Sequence, residues 1–136
     1  MATAAISAGS PLQCRTTSQP AAIDGLLAGG VAPVIKHIPG HGRATADSHH
    51  HLPVVQTPLG ALEQTDFAPF RALADAPMAM TAHVVFTEID EDFCVTLSHR
   101  AIETVIRGYI GFDGLLMSDD LSMRALAGDF AERARA

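Results

Sequence analysis

Residues 36 to 49 read Lys-His-Ile-Pro-Gly-His-Gly-Arg-Ala-Thr-Ala-Asp-Ser-His. Pro39, Gly40 and Gly42 lie too close together for a helix or a central strand, because proline lacks a backbone donor and glycine leaves the chain loose. The stretch is therefore predicted to be a loop. It follows a short apolar run at 31 to 35, which indicates a buried strand that ends where the polar residues begin.

Histidine is concentrated in this part of the chain. Five of the seven histidines fall between positions 37 and 51. An ordinary solvated turn would rarely carry so many imidazoles. The concentration at the end of a strand favours a chemical role for the loop.

Length and composition limit the class of protein. The 136 residues, of which 48% are apolar, suit one domain. Nine basic residues against fifteen acidic ones, with no basic patch among aromatics, make nucleic acid an unexpected partner. Cys14 and Cys94 stand far apart, which indicates neither a disulfide framework nor a cysteine zinc site and suits a reducing, cytoplasmic location. No apolar run approaches 18 residues, so no membrane span or membrane partner is expected.

The first 18 residues differ from the rest. They are rich in Ala, Ser and Thr and contain no acidic residue. They also lack an early basic residue and a long apolar run, so they do not resemble a signal peptide. We expect a disordered or poorly packed lead-in at 1–18 and one domain at 19–136.

The spacing of the apolar residues, and the glycines and prolines that interrupt it, predict an alternation of helices and strands. The predicted strands are 31–35, 78–82 and 115–117. Four helices are predicted, one after Pro20 and the others from about Asp66, from Ser98 and from about Ser122. Asp66 and Ser98 are expected to cap the helices that they start. Residues 52–59 and 84–97 are predicted to be connections. The strands are short and continuously apolar, which is typical of a parallel sheet covered by helices. The predicted class is α/β.

Each predicted strand is followed by polar side chains. They are Lys36 and His37, then His83, then Asp119 and Asp120. In an α/β barrel, residues at the carboxyl ends of the strands assemble the active site. The three groups are therefore expected to converge.

Four motifs carry a resemblance to a known family. They are Lys-His-Ile-Pro-Gly-His-Gly at 36–42, Asp-Ser-His at 47–49, Thr-Ala-His at 81–83 and Gly-Phe-Asp-Gly-Leu-Leu-Met-Ser-Asp-Asp-Leu-Ser-Met at 111–123. With these motifs in this order, the chain from about residue 21 resembles glycoside hydrolase family 3, and within it the bacterial β-N-acetylhexosaminidases of peptidoglycan recycling. The resemblance implies a fragment of a (β/α)8 TIM barrel, about three strands of eight.

The resemblance also implies chemical roles. Asp119 corresponds to the nucleophile that forms a covalent glycosyl intermediate. His49 corresponds to the acid/base, and Asp47 forms a dyad with it by fixing the imidazole tautomer. Lys36 and His37 correspond to the pair that binds sugar hydroxyls. Neither a metal nor a cofactor is implied.

Some side chains keep two interpretations. His83 either lines the substrate pocket or is a strand-end histidine whose hydrogen bonds are satisfied within the fold. Asp120 is expected to be a structural carboxylate rather than a second nucleophile. His50 and His51 depart from the family pattern and are expected to be exposed. The alternative is a zinc site drawn from His37, His41, Asp47, His49, His50 and His51.

The implied function is that of a retaining exo-β-N-acetylglucosaminidase. It would remove terminal GlcNAc from muropeptides, a small-molecule carbohydrate substrate. One alternative is a truncated, non-catalytic fragment, because three parallel strands cannot close a barrel and leave their edges unpaired. Whether a second chain supplies the missing strands stays open. A histidine-rich metal-binding module is a further alternative.

Overall fold

The computed structural model describes residues 2–7, 18–44, 51–124 and 126–135. The strands are β1 Ala2–Ser7, β2 Val31–Ile38, β3 Val54–Val55, β4 Met78–Thr81, β5 Val85–Phe86 and β6 Leu115–Met117. The helices are α1 Ser18–Ala28, α2 Leu59–Thr65, α3 Ala68–Arg71, a 3₁₀ turn Val95–Leu97, a π-helix Ala101–Ile110 and α4 Phe130–Arg133. None of these helices has the length and apolar character needed to span a membrane.

The main sheet has four strands in the order β1-β2-β4-β6, and every pair in it is parallel. The order follows the chain without reversal, which is the arrangement of a barrel wall rather than of a doubly wound sheet. The predicted parallel α/β class is therefore confirmed. The short strands β3 and β5 form a separate parallel pair.

The amino-terminal strand corrects the expected lead-in. Residues 2–7 lie within the segment that was expected to be disordered, but they form β1 and pair along their whole length with residues 31–36 of β2. The main sheet therefore has four strands where the sequence predicted three. The Ala-rich segment has little β propensity of its own, so the pairing with β2 decides its conformation.

Strand β2 is longer than predicted. It runs to Ile38, so Lys36 and His37 belong to the strand rather than to the loop after it. The pairing with β4 shifts register between Lys36 and Ile38. The peptide bonds Lys36–His37 and Ile38–Pro39 are cis. Because Lys36 pairs with Ser7 of β1 and with Met80 of β4, the polar end of this strand is held within the sheet.

The connection from β2 to β4 differs from the prediction. Helix α2 follows Pro58 directly and was not predicted, although only its first residue, Leu59, belongs to the connection that was expected to be extended. Asp66 lies between α2 and α3 without capping α3. Proline is compatible with the start of a helix because its fixed φ suits the first turn. The Asp66 carboxylate instead accepts a hydrogen bond from Arg43 Nε at 2.7 Å.

The core lies between the sheet and the helices. Phe67, Phe70 and Phe112 are each at most 1% exposed, and burial of such a ring contributes about 1.5–3 kcal/mol. The Phe67 ring meets the rings of Phe86 and Tyr109 edge to face, with centroids 6.0 and 6.2 Å away. These contacts join α3, the π-helix and the β3–β5 pair to one core.

Ser98 starts a helix, as predicted. Its Oγ accepts a hydrogen bond from the Ala101 amide at 3.0 Å. The following turns adopt the wider π pattern, which the sequence did not predict, and at the end the Gly111 amide donates to the Ile106 carbonyl. Gly111 has φ +78°, a left-handed conformation that suits glycine. The helix therefore has the predicted ends and an unpredicted winding.

The last helix starts later than predicted. Turns rather than a helix follow Ser122, and α4 begins only at Phe130. Asp129 and Glu132 form a capping box at its start. Gly128, with φ +81°, separates this helix from the preceding turns. The cap therefore fixes the start of α4 where the apolar pattern alone did not.

Gly114 marks a close approach between β6 and the segment before β4. A Cβ atom at this position would lie 2.6 Å from the Pro77 carbonyl oxygen and 2.7 Å from that of Ala76. The neighbouring Leu115 amide donates to the same Pro77 carbonyl at 3.0 Å. The two backbones therefore leave no room for a side chain at 114.

Candidate active site

The carboxyl ends of β2 and β6 bring two of the predicted site residues together. His37 is near the end of β2, and Asp119 lies two residues beyond β6. The His37 Nε2 atom is 3.3 Å from Asp119 Oδ2. The expected convergence is confirmed for these two side chains, while their chemical roles stay predictions.

The environment of His37 keeps its imidazole neutral at neutral pH. Burial lowers the pKa of His37, and the nearby Asp119 carboxylate raises it by a smaller amount. The charge of Lys36 and the rings of His41 and His83 lower the pKa further. The His37 side chain keeps 25% of its surface exposed, so a ligand can reach it. A neutral, accessible imidazole can donate or accept one hydrogen bond to a hydroxyl group.

Asp119 is partly exposed and oriented by the turn that follows it. Its side chain keeps 20% of its surface accessible. Its Oδ1 accepts a hydrogen bond from the Asp120 amide at 2.8 Å. Asp120 Oδ1 in turn accepts from the Ser122 amide at 2.8 Å, so the Asp120 carboxylate serves the turn, as predicted for a structural carboxylate. Asp119 is thus the carboxylate that faces His37.

His83 lies behind these groups. It is 1% exposed. Its Nδ1 is 2.7 Å from Thr96 Oγ1, and its Nε2 is 3.0 Å from the Asp120 carbonyl oxygen. Because both ring nitrogens are engaged within the fold, the structure favours the satisfied strand-end histidine over a residue that binds substrate.

The loop after β2 begins at the same edge. The ring of His41 has its centroid 5.9 Å from that of His37. Arg43 fixes the loop to the end of α2, because its Nε donates to Asp66 and its Nη2 donates to Thr65 Oγ1 at 3.0 Å. The start of the loop is therefore tied to the end of α2, and it places the His41 ring near that of His37.

The predicted acid/base dyad cannot be located. Asp47, His49 and His50 lie outside the described residues. His51 is described and exposed, as expected. Among the described ranges, no three His, Cys, Asp or Glu side chains are grouped closely enough to hold a metal ion.

Two parts of this arrangement were not predicted from the sequence. Thr96 is an unremarkable threonine 13 positions from His83, and Arg43 is 23 positions from Asp66. Neither pair has a spacing that marks it. Only a conserved hydroxyl or a co-varying charge pair in an alignment would have signalled them.

The fold and the site together define a barrel-type α/β protein with a carboxylate and an imidazole at the carboxyl ends of its strands. A family described as the glycosyl hydrolase family 3 N-terminal domain matches residues 7–136, and the chain belongs to it. The match extends further towards the amino terminus than the expected start near residue 21. It begins at Ser7, the last residue of β1.

Individual relatives agree with this assignment. A β-hexosaminidase of Bordetella avium (strain 197N) is 41% identical over 120 residues, which are 85% of this chain and 34% of that protein. The structure of NagZ from Neisseria gonorrhoeae in complex with N-trifluoroacetyl-D-glucosamine superposes with a TM-score of 0.78 and 38% identity, over 93% of this chain and 37% of that one. The structure of a family 3 β-N-acetylglucosaminidase from Paenibacillus sp. str. FPU-7 superposes with a TM-score of 0.76 and 39% identity, over 83% of this chain and 23% of that one. The chain spans about a third of the length of the curated relatives it matches.

Proposed function

We propose that the chain provides part of the active site of a retaining β-N-acetylhexosaminidase that removes terminal GlcNAc. The observation that carries the proposal is the 3.3 Å approach of His37 to Asp119 at the carboxyl edge of a family 3 sheet. Asp119 attacks the anomeric carbon and forms the glycosyl intermediate, and water then releases the sugar with the same anomeric configuration.

The surrounding groups suit a hydroxylated, uncharged sugar ring. His37 is neutral and accessible, so it can form a hydrogen bond to a hydroxyl group without neutralising the Asp119 carboxylate. Lys36 precedes it on β2 and supplies a fixed charge. In this proposal both bind sugar hydroxyls, and the turn around Asp120 holds Asp119 in place.

The acid/base in this proposal is His49, with Asp47 as its partner. This assignment depends on the family motif at 47–49. The imidazole protonates the leaving oxygen in the first step and activates water in the second. The substrate class is a muropeptide with GlcNAc at its non-reducing end, and the location is the cytoplasm.

Hydrolysis of aryl β-GlcNAc substrates by the purified chain tests the nucleophile. We expect Asp119→Ala to reduce kcat on the order of 10⁴-fold, because the covalent step is lost. Asp113→Ala is the matched control, since Asp113 is an exposed aspartate before the same strand. Equal rates for the two variants would contradict the role of Asp119. A folded but inactive unmodified chain would instead support the non-catalytic alternative.

The leaving group tests the acid/base. A good leaving group needs little protonation, so His49→Ala should affect a nitrophenyl glycoside less than a muropeptide, where a loss of about 10²- to 10⁴-fold is expected. Asp47→Asn should show the same dependence with a smaller loss. A loss that does not vary with the leaving group would contradict the assignment. Nuclear magnetic resonance (NMR) of the first product formed tests retention, since β-GlcNAc must appear before its α anomer.

A further inference from the structure

A chain of partly buried hydrogen bonds leads from β4 to the backbone next to Asp119. The Thr81 and Thr96 hydroxyl oxygens are 2.9 Å apart, and Thr96 Oγ1 is 2.7 Å from His83 Nδ1. His83 Nε2 is 3.0 Å from the carbonyl oxygen of Asp120. Thr81 and His83 are 2% and 1% exposed, so the imidazole of His83 depends on its partners in the fold for its hydrogen bonds. The chain joins β4, the 3₁₀ turn and the segment after β6.

The protons in this chain can be assigned by counting donors. A carbonyl oxygen only accepts, so His83 Nε2 must carry a proton. If Nδ1 also carried one, the imidazole would be a buried cation whose two hydrogen-bond partners are uncharged oxygen atoms, which is a costly arrangement. Nδ1 therefore accepts from the Thr96 hydroxyl. The longer 3.2 Å contact from Thr96 Oγ1 to the Ala82 carbonyl cannot use the same proton.

We propose that His83 is a positioning residue for Asp119, and that Thr96 sets its tautomer. With Nδ1 occupied by the Thr96 proton, Nε2–H points at the Asp120 carbonyl and fixes the peptide between Asp120 and Leu121, which holds the backbone of Asp120 from its carboxyl side. The Asp120 amide in turn donates to Asp119 Oδ1 at 2.8 Å. The buried histidine thereby orients the carboxylate that faces His37, without touching substrate. This role rests on the proposed function of Asp119 as nucleophile.

The tautomer can be measured on the unmodified chain, whatever its activity. In a chain labelled with ¹⁵N-histidine, the ring of His83 is identified by the signals that His83→Gln removes. Long-range ¹H–¹⁵N spectra at neutral pH should show Nε2 protonated and Nδ1 bare. A proton on Nδ1, in either the other neutral tautomer or the cation, would overturn the proposal.

Thr96→Val removes the hydroxyl and keeps the side-chain shape. We expect the Nδ1 resonance of His83 to move towards that of an imidazole nitrogen without a donor, and the carbonyl resonance of Asp120 to shift with it. Thr104→Val is the matched control, because the Thr104 hydroxyl donates one bond to a backbone carbonyl on an exposed helix face. Unchanged His83 and Asp120 resonances in Thr96→Val, or equal shifts in both variants, would overturn the proposal.

Kinetics on an aryl β-GlcNAc substrate distinguish a positioning role of His83 from a purely structural one. Thr96→Val should lower kcat on the order of 10- to 100-fold with little change in KM, because the displaced carboxylate affects the chemical step more than binding. His83→Gln retains an N–H donor and an acceptor and should recover part of the rate that His83→Leu loses. Equal rates for the Gln and Leu variants would contradict the role. If the unmodified chain shows no turnover, the proposed function fails for this chain, and the spectra alone decide the hydrogen-bond chain.

Discussion

His37 and His83 occupy neighbouring strand ends, yet their surroundings differ. His37 lies at the end of β2, 25% exposed in its side chain and 3.3 Å from a carboxylate oxygen. His83 follows β4, is 1% exposed and forms hydrogen bonds through both ring nitrogens to uncharged oxygens. The first can meet a ligand and the second cannot. Two histidines that each follow an apolar run therefore differ in whether a ligand can reach them.

The difference follows from the neighbours rather than from the strands. Among the described residues, His37 keeps a quarter of its side-chain surface accessible. The 3₁₀ turn Val95–Leu97 covers His83 and supplies Thr96 as its partner. A polar residue at the carboxyl end of a barrel strand thus indicates a site residue only when nothing folds back over it. Three experiments test this comparison.

The largest expected effect is on stability. His83→Leu should lower the free energy of unfolding by about 2–3 kcal/mol, because it leaves the Asp120 carbonyl and the Thr96 hydroxyl without their buried partner. His37→Leu should cost less than about 1 kcal/mol, since its side chain is partly exposed. Urea denaturation of both variants at slightly alkaline pH makes the comparison. Equal losses would show that the two histidines support the fold alike.

A smaller effect is expected at the loop that follows His37. Asp66→Ala should cost about 1–2 kcal/mol, because Arg43 and Thr65 lose a nearly buried acceptor. Asp75→Ala, at an exposed aspartate of the same connection, should stay within about 0.5 kcal/mol. Denaturation curves measure both. If Asp66→Ala behaved like its control, the loop would not be anchored through this pair.

The smallest expected effect is a pH dependence that belongs to His37. Its native pKa is lowered, chiefly by burial, whereas the unfolded chain takes up a proton near pH 6.5. Its contribution to stability is therefore complete above about pH 6.5 and is lost as the pH falls through that value towards the lowered native pKa. His37→Gln should flatten this decrease, measured by denaturation between about pH 7.5 and about pH 5. His99→Gln exchanges the same side chain at an exposed position, and an equal change of slope in both variants would contradict the assignment to His37.

The sequence predicted the parts of the fold whose signals are local. Continuous apolar runs located β4 and β6 within one residue, and Ser98 was recognised as a cap from its position before an apolar helix. Strand β1 could not be recognised in the same way. Its six residues include three alanines, which have little β propensity, so their extended conformation depends on the hydrogen-bonded pairing with β2.

For the site as well, local signals were predictable from the sequence and long-range contacts were not. The motifs identified His37 and Asp119, and the parallel order of the strands explained why they meet. The support of the site depends on partners that are distant in sequence. Aspartate is a common helix cap, but Asp66 instead pairs with Arg43, which lies in the loop after β2. The interpretation of His83 likewise depended on its contact with Thr96. Long-range hydrogen bonds of this kind leave no periodic trace in one sequence.

The missing side chain at Gly114 sets the spacing between two strands. A methyl group there would act as a wedge against the Pro77 and Ala76 carbonyls, and β6 would have to slide away from β4 to accept it. Asp119 lies five residues further along the chain, so the displacement of β6 would also move the Asp119 carboxylate. Gly114, directly before the amino-terminal end of β6, thereby helps to set the distance between the proposed nucleophile Asp119 and His37.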